Sequence, residues 1–289
     1  MILIDYNAIA IGNVVTQKLD LDENLVRHMI LNSLRMYRRK HKAQFGELVI
    51  CTDGQKNWRY DAFPNYKFKR KGARKASSID WQELFRLTNM VLDELSENFP
   101  YKVVKHENAE ADDIIAAVCE TTQEFGNHED VIIISSDKDF AQLQKWSNIK
   151  QWSPMKKGYI TFNEGSSPTY TGSPKKQLME LILRGDQSDG VPNVLSPDNC
   201  FAEGIRQTPL RQKALDQLIC DPESMGPEIY RNFLRNKKLI DLSETPDSVK
   251  QEIIYNYEQQ DKTNNTTQVF PYLVEKRCRM LLESVEDFV

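Results

Sequence analysis

Short, unbroken apolar runs punctuate the first half of the chain, and three of them stop on an aspartate. Ile2-Leu3-Ile4 ends at Asp5, the run 48–52 ends at Asp53, and the run 131–136 ends at Asp137, with Asp139 two residues on. β-Branched runs of this length without alternation read as strands buried on both faces of a parallel sheet. Between them the spacing turns helical. Leu25, Met29, Ile30, Leu34 and Tyr37 predict a helix over 22–43, and Leu84, Leu87, Val91, Leu92 and Leu95 predict one over 80–98. Further strands are expected over 101–104, 149–152 and 159–162, a helix over 109–125, and a short helix from Phe140. Strand alternating with helix predicts an α/β fold, a mostly parallel sheet flanked by helices.

Gly and Ser-Pro clusters over 165–168 and 172–174 then interrupt the pattern. Beyond them it is helical, over 174–183, 209–219, 227–239, 246–257 and 270–285, with a proline at or near several starts and a polar loop over 261–268. The expected organisation is an α/β domain over 1–165 and a helical C-terminal region over 166–289.

Composition narrows the class. The 289 residues can bury a substantial core. No apolar stretch approaches the ~20 residues needed to span a bilayer, and Met1 leads directly into a strand without a signal peptide. The expected location is the cytoplasm, with no membrane partner. Five scattered cysteines lack any C-x-x-C pair, which argues against a disulfide framework or a cysteine zinc site. The four histidines form no H-x-x-x-H spacing and read as surface or core residues.

Carboxylates carry the chemistry. In an open α/β sheet the carboxyl ends of the strands line one crevice, so Asp5, Asp53, Asp137 and Asp139 should converge there. Glu110-Ala111-Asp112-Asp113 opens a helix whose next residues, 114–118, are apolar, so its first turn should abut the sheet. Acids there could equally be partners of the helix dipole. Asp186 and Asp189, in a Gly-Asp-x-x-Asp-Gly string, are three apart and could share one side of a helical turn, or could sit in a simple polar turn. An EF-hand starting at Asp137 fails, because its sixth and twelfth positions are Gln142 and Asn148. These nine acids would repel one another unless a cation neutralised them. Oxygen-only ligands favour Mg²⁺ or Mn²⁺ over zinc. Two such ions could activate water on a phosphodiester, with no side-chain nucleophile.

The net charge of −4 argues superficially against a polyanion partner. Setting the nine acids aside leaves +5, and the basic charge is uneven. Residues 54–78 hold Lys56, Arg59, Lys67, Lys69, Arg70, Lys71, Arg74 and Lys75 against the single acid Asp61. Trp58, Tyr60, Phe63, Tyr66 and Phe68 are interleaved with them. Cations for phosphates and aromatic faces for bases suit single-stranded nucleic acid, although such a run is more often a solvated surface. The segment leaves directly from Asp53, which favours substrate contact, with Lys67 and Arg70 at the scissile phosphate. Its composition suggests a segment without fixed order in the absence of substrate.

Leu3-Ile4-Asp5, Asp53, Tyr66-Lys67-x-x-Arg70, Glu110-Ala111-Asp112-Asp113, Ser136-Asp137-Lys138-Asp139 and Gly185-Asp186-x-x-Asp189 resemble, in order and spacing, the motifs of the 5′-nuclease superfamily. That superfamily comprises flap endonucleases and the 5′-3′ exonuclease domains of bacterial DNA polymerases. The chain is most similar to its T-even-type bacteriophage ribonuclease H branch, also through 26–33 and 150–155. The resemblance implies a PIN-like domain with a helical arch or loop over 54–78. It also implies Mg²⁺-dependent hydrolysis from a 5′ end, on RNA–DNA hybrids and on duplex or flapped DNA, and removal of RNA primers on the lagging strand. It assigns Asp5, Asp53, Asp112 and Asp137 to a tighter ion, and Asp139, Asp186 and Asp189 to a second, with Glu110 and Asp113 in support. Asp112, Asp137, Lys67 and Arg70 would be catalytic, and Tyr66, Lys67, Lys69, Arg70 and Lys71 would bind substrate. The chain departs from the family over 191–197, which lack the glycines of a helix-hairpin-helix. Duplex contact is then expected from Lys175, Lys176, Arg206, Arg211 and Lys213. The chain is expected to be monomeric, with a single-stranded-DNA-binding protein met through the C-terminal helices. Because it starts at the first strand, no sliding-clamp contact is expected at its N-terminus.

Two rival readings fit less well. A haloacid-dehalogenase-type phosphatase needs Asp-x-Asp after the first strand, where this chain reads Asp5-Tyr6-Asn7. A silent nucleic-acid-binding scaffold would have no reason to keep nine mutually repelling acids.

Overall fold

The structure is a computed structural model that describes residues 1–17, 21–124, 126–162, 169–221 and 225–289. The three apolar runs form β1 (Ile2–Asp5), β2 (Leu48–Thr52) and β4 (Val131–Ile134) of one six-stranded sheet, which β3 (Lys102–Lys105), β5 (Ile149–Ser153) and β6 (Gly158–Tyr159) complete. Their order is β3-β2-β1-β4-β5-β6, all neighbours parallel except β5 and β6. The last strand is shorter than the expected 159–162; Phe162 makes only an isolated bridge to Tyr170.

Alternate side chains on these strands enter two cores. Ile2, Ile4, Ile50, Ile132 and Ile134 face a layer formed by α1 (Tyr6–Gln17), α2 (Glu23–Phe45) and α5 (Trp81–Asn98). Leu3, Val49, Cys51 and Ile133 face α6 (Ala111–Thr121). Burial on both faces explains why β1, β2 and β4 carry no polar alternation.

Helix α1 escapes the periodicity analysis. Its apolar residues have no clean stripe, and it starts immediately after β1, with Asp5 accepting a hydrogen bond from the Ala8 amide at 3.2 Å. Asp5 thus terminates a strand and caps a helix at once. Helix α2 begins one residue after its cap Asp22, and α5 after its cap Asp80.

The basic segment is more structured than its composition suggests. It contains α3 (Arg59–Ala62) and α4 (Lys69–Ala76). Trp58, Phe63 and Tyr66 are buried, so these three aromatics are not free to stack on bases. Phe63 and Tyr66 pack against Ile182, Val191, Leu239 and Ile240. Hydrophobic contact with distant helices overrides the loop reading.

The boundary expected at 165 lies outside the described residues. Beyond it, α7 (Pro174–Arg184), α8 (Gln212–Cys220) and α9 (Pro227–Ile240) surround a small core of Leu183, Val194, Leu210, Leu215 and Met225. Helix α10 (Asp247–Glu258) returns to pack on α6 and β3. The expected helix 270–285 is broken into α11 (Val269–Glu275), α12 (Arg279–Leu282) and a 3₁₀ turn at Val285–Phe288. Arg277 turns the chain at φ +54°, and Phe288 reaches Phe99, with ring centroids 5.4 Å apart. Among the described residues no helix is long and apolar enough to cross a membrane.

Candidate metal centre and substrate cleft

The sheet reverses its winding between β1 and β4, the position at which open α/β sheets bind ligands. Asp5 ends β1, Asp53 follows β2, and Asp137 and Asp139 follow β4. The first turn of α6 is drawn to the same edge. The Ala111 amide donates to Asp53 Oδ1 at 2.9 Å, and Asn7 Nδ2 donates to Asp53 Oδ2 at 2.8 Å. Asp5 therefore has the charges of Asp53 and Asp137 around it, Asp112 those of Asp5 and Asp137, and Asp139 those of Asp137 and Asp186.

What neutralises each acid divides the nine into two sets. Asp5, Asp53, Asp112, Asp137 and Asp139 make no ion pair among the described residues. Burial, with repulsion from Asp53 and Asp137, pushes Asp5 up to about 7 despite hydrogen bonds from Ser135 and Ala8. Burial and the charges of Asp137, Asp5 and Glu110 hold Asp112 well above the usual carboxylate range. Asp139 is likewise raised by burial and by Asp137 and Asp186, and its Oδ1 is buried without a hydrogen-bond partner. Asp137 is raised in the same direction, although its side chain is open to solvent at the mouth.

The second set already has cations. Asp186 is buried but is pulled below the usual range by Lys138, whose Nζ lies 2.8 Å away, and by Ser188. Glu110 is also lowered, against burial, by Lys67 and Arg59. Asp189 receives Arg70 at 2.8 Å and Lys67 at 3.6 Å. It does not share a helical turn with Asp186: the segment is a turn closed by an Asp186–Val191 bridge, with Gly185 and Gly190 at positive φ.

Asp113 is a correction. Its carboxylate is wholly buried and accepts from Arg59 Nη1 and Nη2 at 2.8 and 2.9 Å, Thr245 Oγ1 at 2.6 Å and the Glu110 amide at 3.0 Å. With both oxygens filled it has no lone pair directed at the other acids, so it is a structural anchor rather than a metal ligand. Arg59 and Lys138 escape the sequence reading as partners. Lys138 lies between two motif aspartates, which is a usable signal; Arg59 looks like one more cation in a basic run.

Tyr66, Lys67 and Arg70 gather at the rim. The Tyr66 hydroxyl stands 2.9 Å from Glu110 Oε2 and 3.0 Å from Asp189 Oδ2, with a single proton to share. Lys67 pairs with Glu110, and its backbone, at φ +51°, is pinned by its amide to the Asp189 carbonyl at 2.7 Å. Together with Asp53, Gly54, Asn57, Tyr60 and Arg74 they line a cleft of about 630 Å³. Lys69 lies over the Phe201 ring at 4.8 Å, away from the acids. The Lys71 side chain lies outside the described residues. Lys175, Lys176, Arg206, Arg211 and Lys213 are all exposed.

Among the described residues no three His, Cys, Asp or Glu side chains form a group that could hold a metal ion as they stand. The donor set nevertheless fits a hard divalent cation: all candidate ligands are oxygens, Asp139 keeps an unsatisfied one, and five acids, Asp53 among them, have no ion-pair partner among the described residues.

Residues 3–167 match the 5′-3′ exonuclease N-terminal resolvase-like domain, and residues 172–288 match the T4 RNase H C-terminal domain. The ribonuclease H of Enterobacteria phage T4 is 32% identical over 99% of this chain and 95% of its own length. A flap endonuclease Xni from Shewanella woodyi is 28% identical over 57% of this chain and 71% of its own. In fold the chain is similar to a bacteriophage T5 flap endonuclease solved with DNA and metal ions (TM-score 0.60, 15% identity, 89% of this chain and 99% of that one). It is also similar to a T5 5′-exonuclease with bound zinc (TM-score 0.59, 13% identity, 90% and 98%). The chain belongs to the 5′-3′ exonuclease family, with a C-terminal region of the T4 RNase H type, and is a nuclease enzyme.

Proposed function

We propose that this nuclease is a Mg²⁺-dependent 5′-3′ exonuclease and flap endonuclease with ribonuclease H activity. Its substrates are RNA primers in RNA–DNA hybrids and the 5′ ends of duplex or flapped DNA during phage lagging-strand replication. The observation that carries the reading is the set of five acids, Asp5, Asp53, Asp112, Asp137 and Asp139, that distant elements bring together without an ion-pair partner among the described residues, beside a basic cleft. In it Asp5, Asp53, Asp112 and Asp137 hold one ion, and Asp139, Asp186 and Asp189 a second; Mn²⁺ can substitute. When bound, such ions supply a water nucleophile at neutral pH and stabilise the leaving oxygen of the phosphodiester.

The protein's own groups do the rest. Lys67 stays protonated because the charges of Glu110 and Asp189 outweigh burial, and Arg70 is held by Asp189 at the cleft rim. Both can exchange a carboxylate for a substrate phosphate and offset its developing charge. Residues 1–165 act as the nuclease domain and the helices of 166–289 as the DNA-binding region, working as a monomer in the host-cell cytoplasm. The C-terminal helices are the expected contact for a single-stranded-DNA-binding protein.

The test uses a 5′-labelled flap and an RNA–DNA hybrid, with Mg²⁺ or chelator, alongside Asp137→Asn. Strand scission that disappears in chelator and in the variant is expected. Binding without cutting by wild type in Mg²⁺ would leave a silent nucleic-acid-binding protein.

A further inference from the structure

Strand β5 carries an amide where its neighbours are apolar. Gln151 is 1% exposed and pairs across the ladder with Ile133, on the face covered by α6. Burying a primary amide among aliphatic side chains is costly unless its hydrogens are used. Both are used on one loop. Gln151 Nε2 donates to the Ser135 carbonyl at 3.0 Å and to the Asp137 carbonyl at 2.6 Å.

Ser135 itself is 0% exposed. Its hydroxyl donates its one hydrogen to Asp5 Oδ2 at 2.8 Å and accepts from the Asp137 amide at 3.1 Å. One buried oxygen therefore joins the carboxylate that ends β1 to the backbone of the aspartate that follows β4. From there Asp137 Oδ1 accepts from the Asp139 amide at 2.9 Å, carrying the register to the next acid. Ser135 is fully buried, and the one unpartnered polar atom of Gln151, Oε1, is buried too, so neither side chain is open to a substrate. What they fix is the separation and orientation of Asp5 and Asp137.

We propose that Ser135 and Gln151 are positioning residues that brace the Asp5–Asp137 pair for divalent-cation binding. The inference rests on reading the acid cluster as the metal centre. Without the brace, Asp5 loses its side-chain donor and the post-β4 loop loses its only buried amide clamp among the described contacts. The acids then have to be gathered at the moment the ion binds, and outer groups of this kind typically contribute about ten- to hundredfold in metal affinity or activity.

The test is Mn²⁺ titration calorimetry on the full chain, paired with the Mg²⁺ concentration giving half-maximal single-turnover cleavage. Ser135→Ala should weaken Mn²⁺ binding by about ten- to hundredfold and raise the Mg²⁺ requirement similarly. Ser135→Thr, which keeps the hydroxyl, should stay near wild type. Gln151→Met, which leaves Ser135 intact, should weaken Mn²⁺ by a smaller factor and serves if Ser135→Ala does not fold. Mn²⁺ affinity within twofold of wild type in every folded variant of this pair, while Asp137→Asn loses it, overturns the brace and leaves the metal centre standing. Unchanged Mn²⁺ affinity in Asp137→Asn removes the centre and the brace together.

Discussion

Two side chains from the same basic run meet opposite fates. Arg59 is fully buried, forks onto Asp113, and bonds the Leu239 carbonyl at 2.9 Å, tying α3, α6 and α9 together. Removing one partner of such a pair leaves an uncompensated buried charge. Asp113→Ala should therefore lower unfolding free energy by about 3–5 kcal/mol in urea titration. A loss below 1 kcal/mol would show that Arg59 finds water or another acid. Lys67 is placed for chemistry instead, with its ammonium facing Glu110 and Asp189 at the cleft. Lys67→Ala should slow single-turnover cleavage by about 10²–10³-fold while substrate affinity changes much less. An unchanged rate with weakened binding would remove Lys67 from the phosphate. The sequence motif singled out Lys67, but the role of Arg59 was not legible in the same polar stretch, because only its distant partners set it apart.

Among the elements, the strands were the most readable. A strand buried on both faces must be apolar throughout, and the residue at its end is free to be an acid. The connections were less so. The loop 54–58 zips to 106–109 through Gly54, Lys56 and Trp58 amides bonded to the carbonyls of Ala109, Glu107 and Asn108. A Cβ on Gly54 would lie 2.1 Å from the His106 carbonyl oxygen and 2.5 Å from that of Glu107. Gly54→Ala must part the two loops and shift Asp53 from the α6 N-terminus. A loss of about 1–3 kcal/mol in stability is expected, with reduced cleavage; wild-type values for both would mean the loops separate freely. The broken C-terminal helix and α1 were missed for a related reason. Apolar periodicity marks neither: Phe288 docks on Phe99 from a distant segment, and α1 is capped by Asp5, a residue that the apolar pattern assigns to the end of a strand.

At the scale of the whole molecule, folding concentrates negative charge at one sheet edge. Asp5 is raised from the usual 3.8 to about 7, so between those values the folded chain holds a proton that the unfolded chain releases. Stability of the metal-free protein from this group accordingly falls as pH rises from about 4 to 7. A cation that binds only the folded chain opposes this, and binds best once the acids are ionised. Mg²⁺ should raise the melting temperature of chelator-stripped protein by several degrees at pH 8 and hardly at pH 5. Equal shifts at the two pH values would contradict a carboxylate site. The C-terminal helices share in this architecture, since α10 covers α6 and α11 enters the opposite core.

By itself the sequence determined the strands, the acids at their ends and the order in which they recur, because a doubly covered parallel sheet leaves an unmistakable run of apolar residues. It also determined the kind of chemistry, since oxygen ligands without histidine or cysteine admit hard cations. Only the tertiary structure decided which acids keep a need for such a cation. Arg59, Lys67 and Lys138 reach Asp113, Glu110 and Asp186 through contacts between separated segments. Asp5, Asp53, Asp112, Asp137 and Asp139 receive no such partner among the described residues, and charge balance, a property of three-dimensional neighbours, sets the two groups apart.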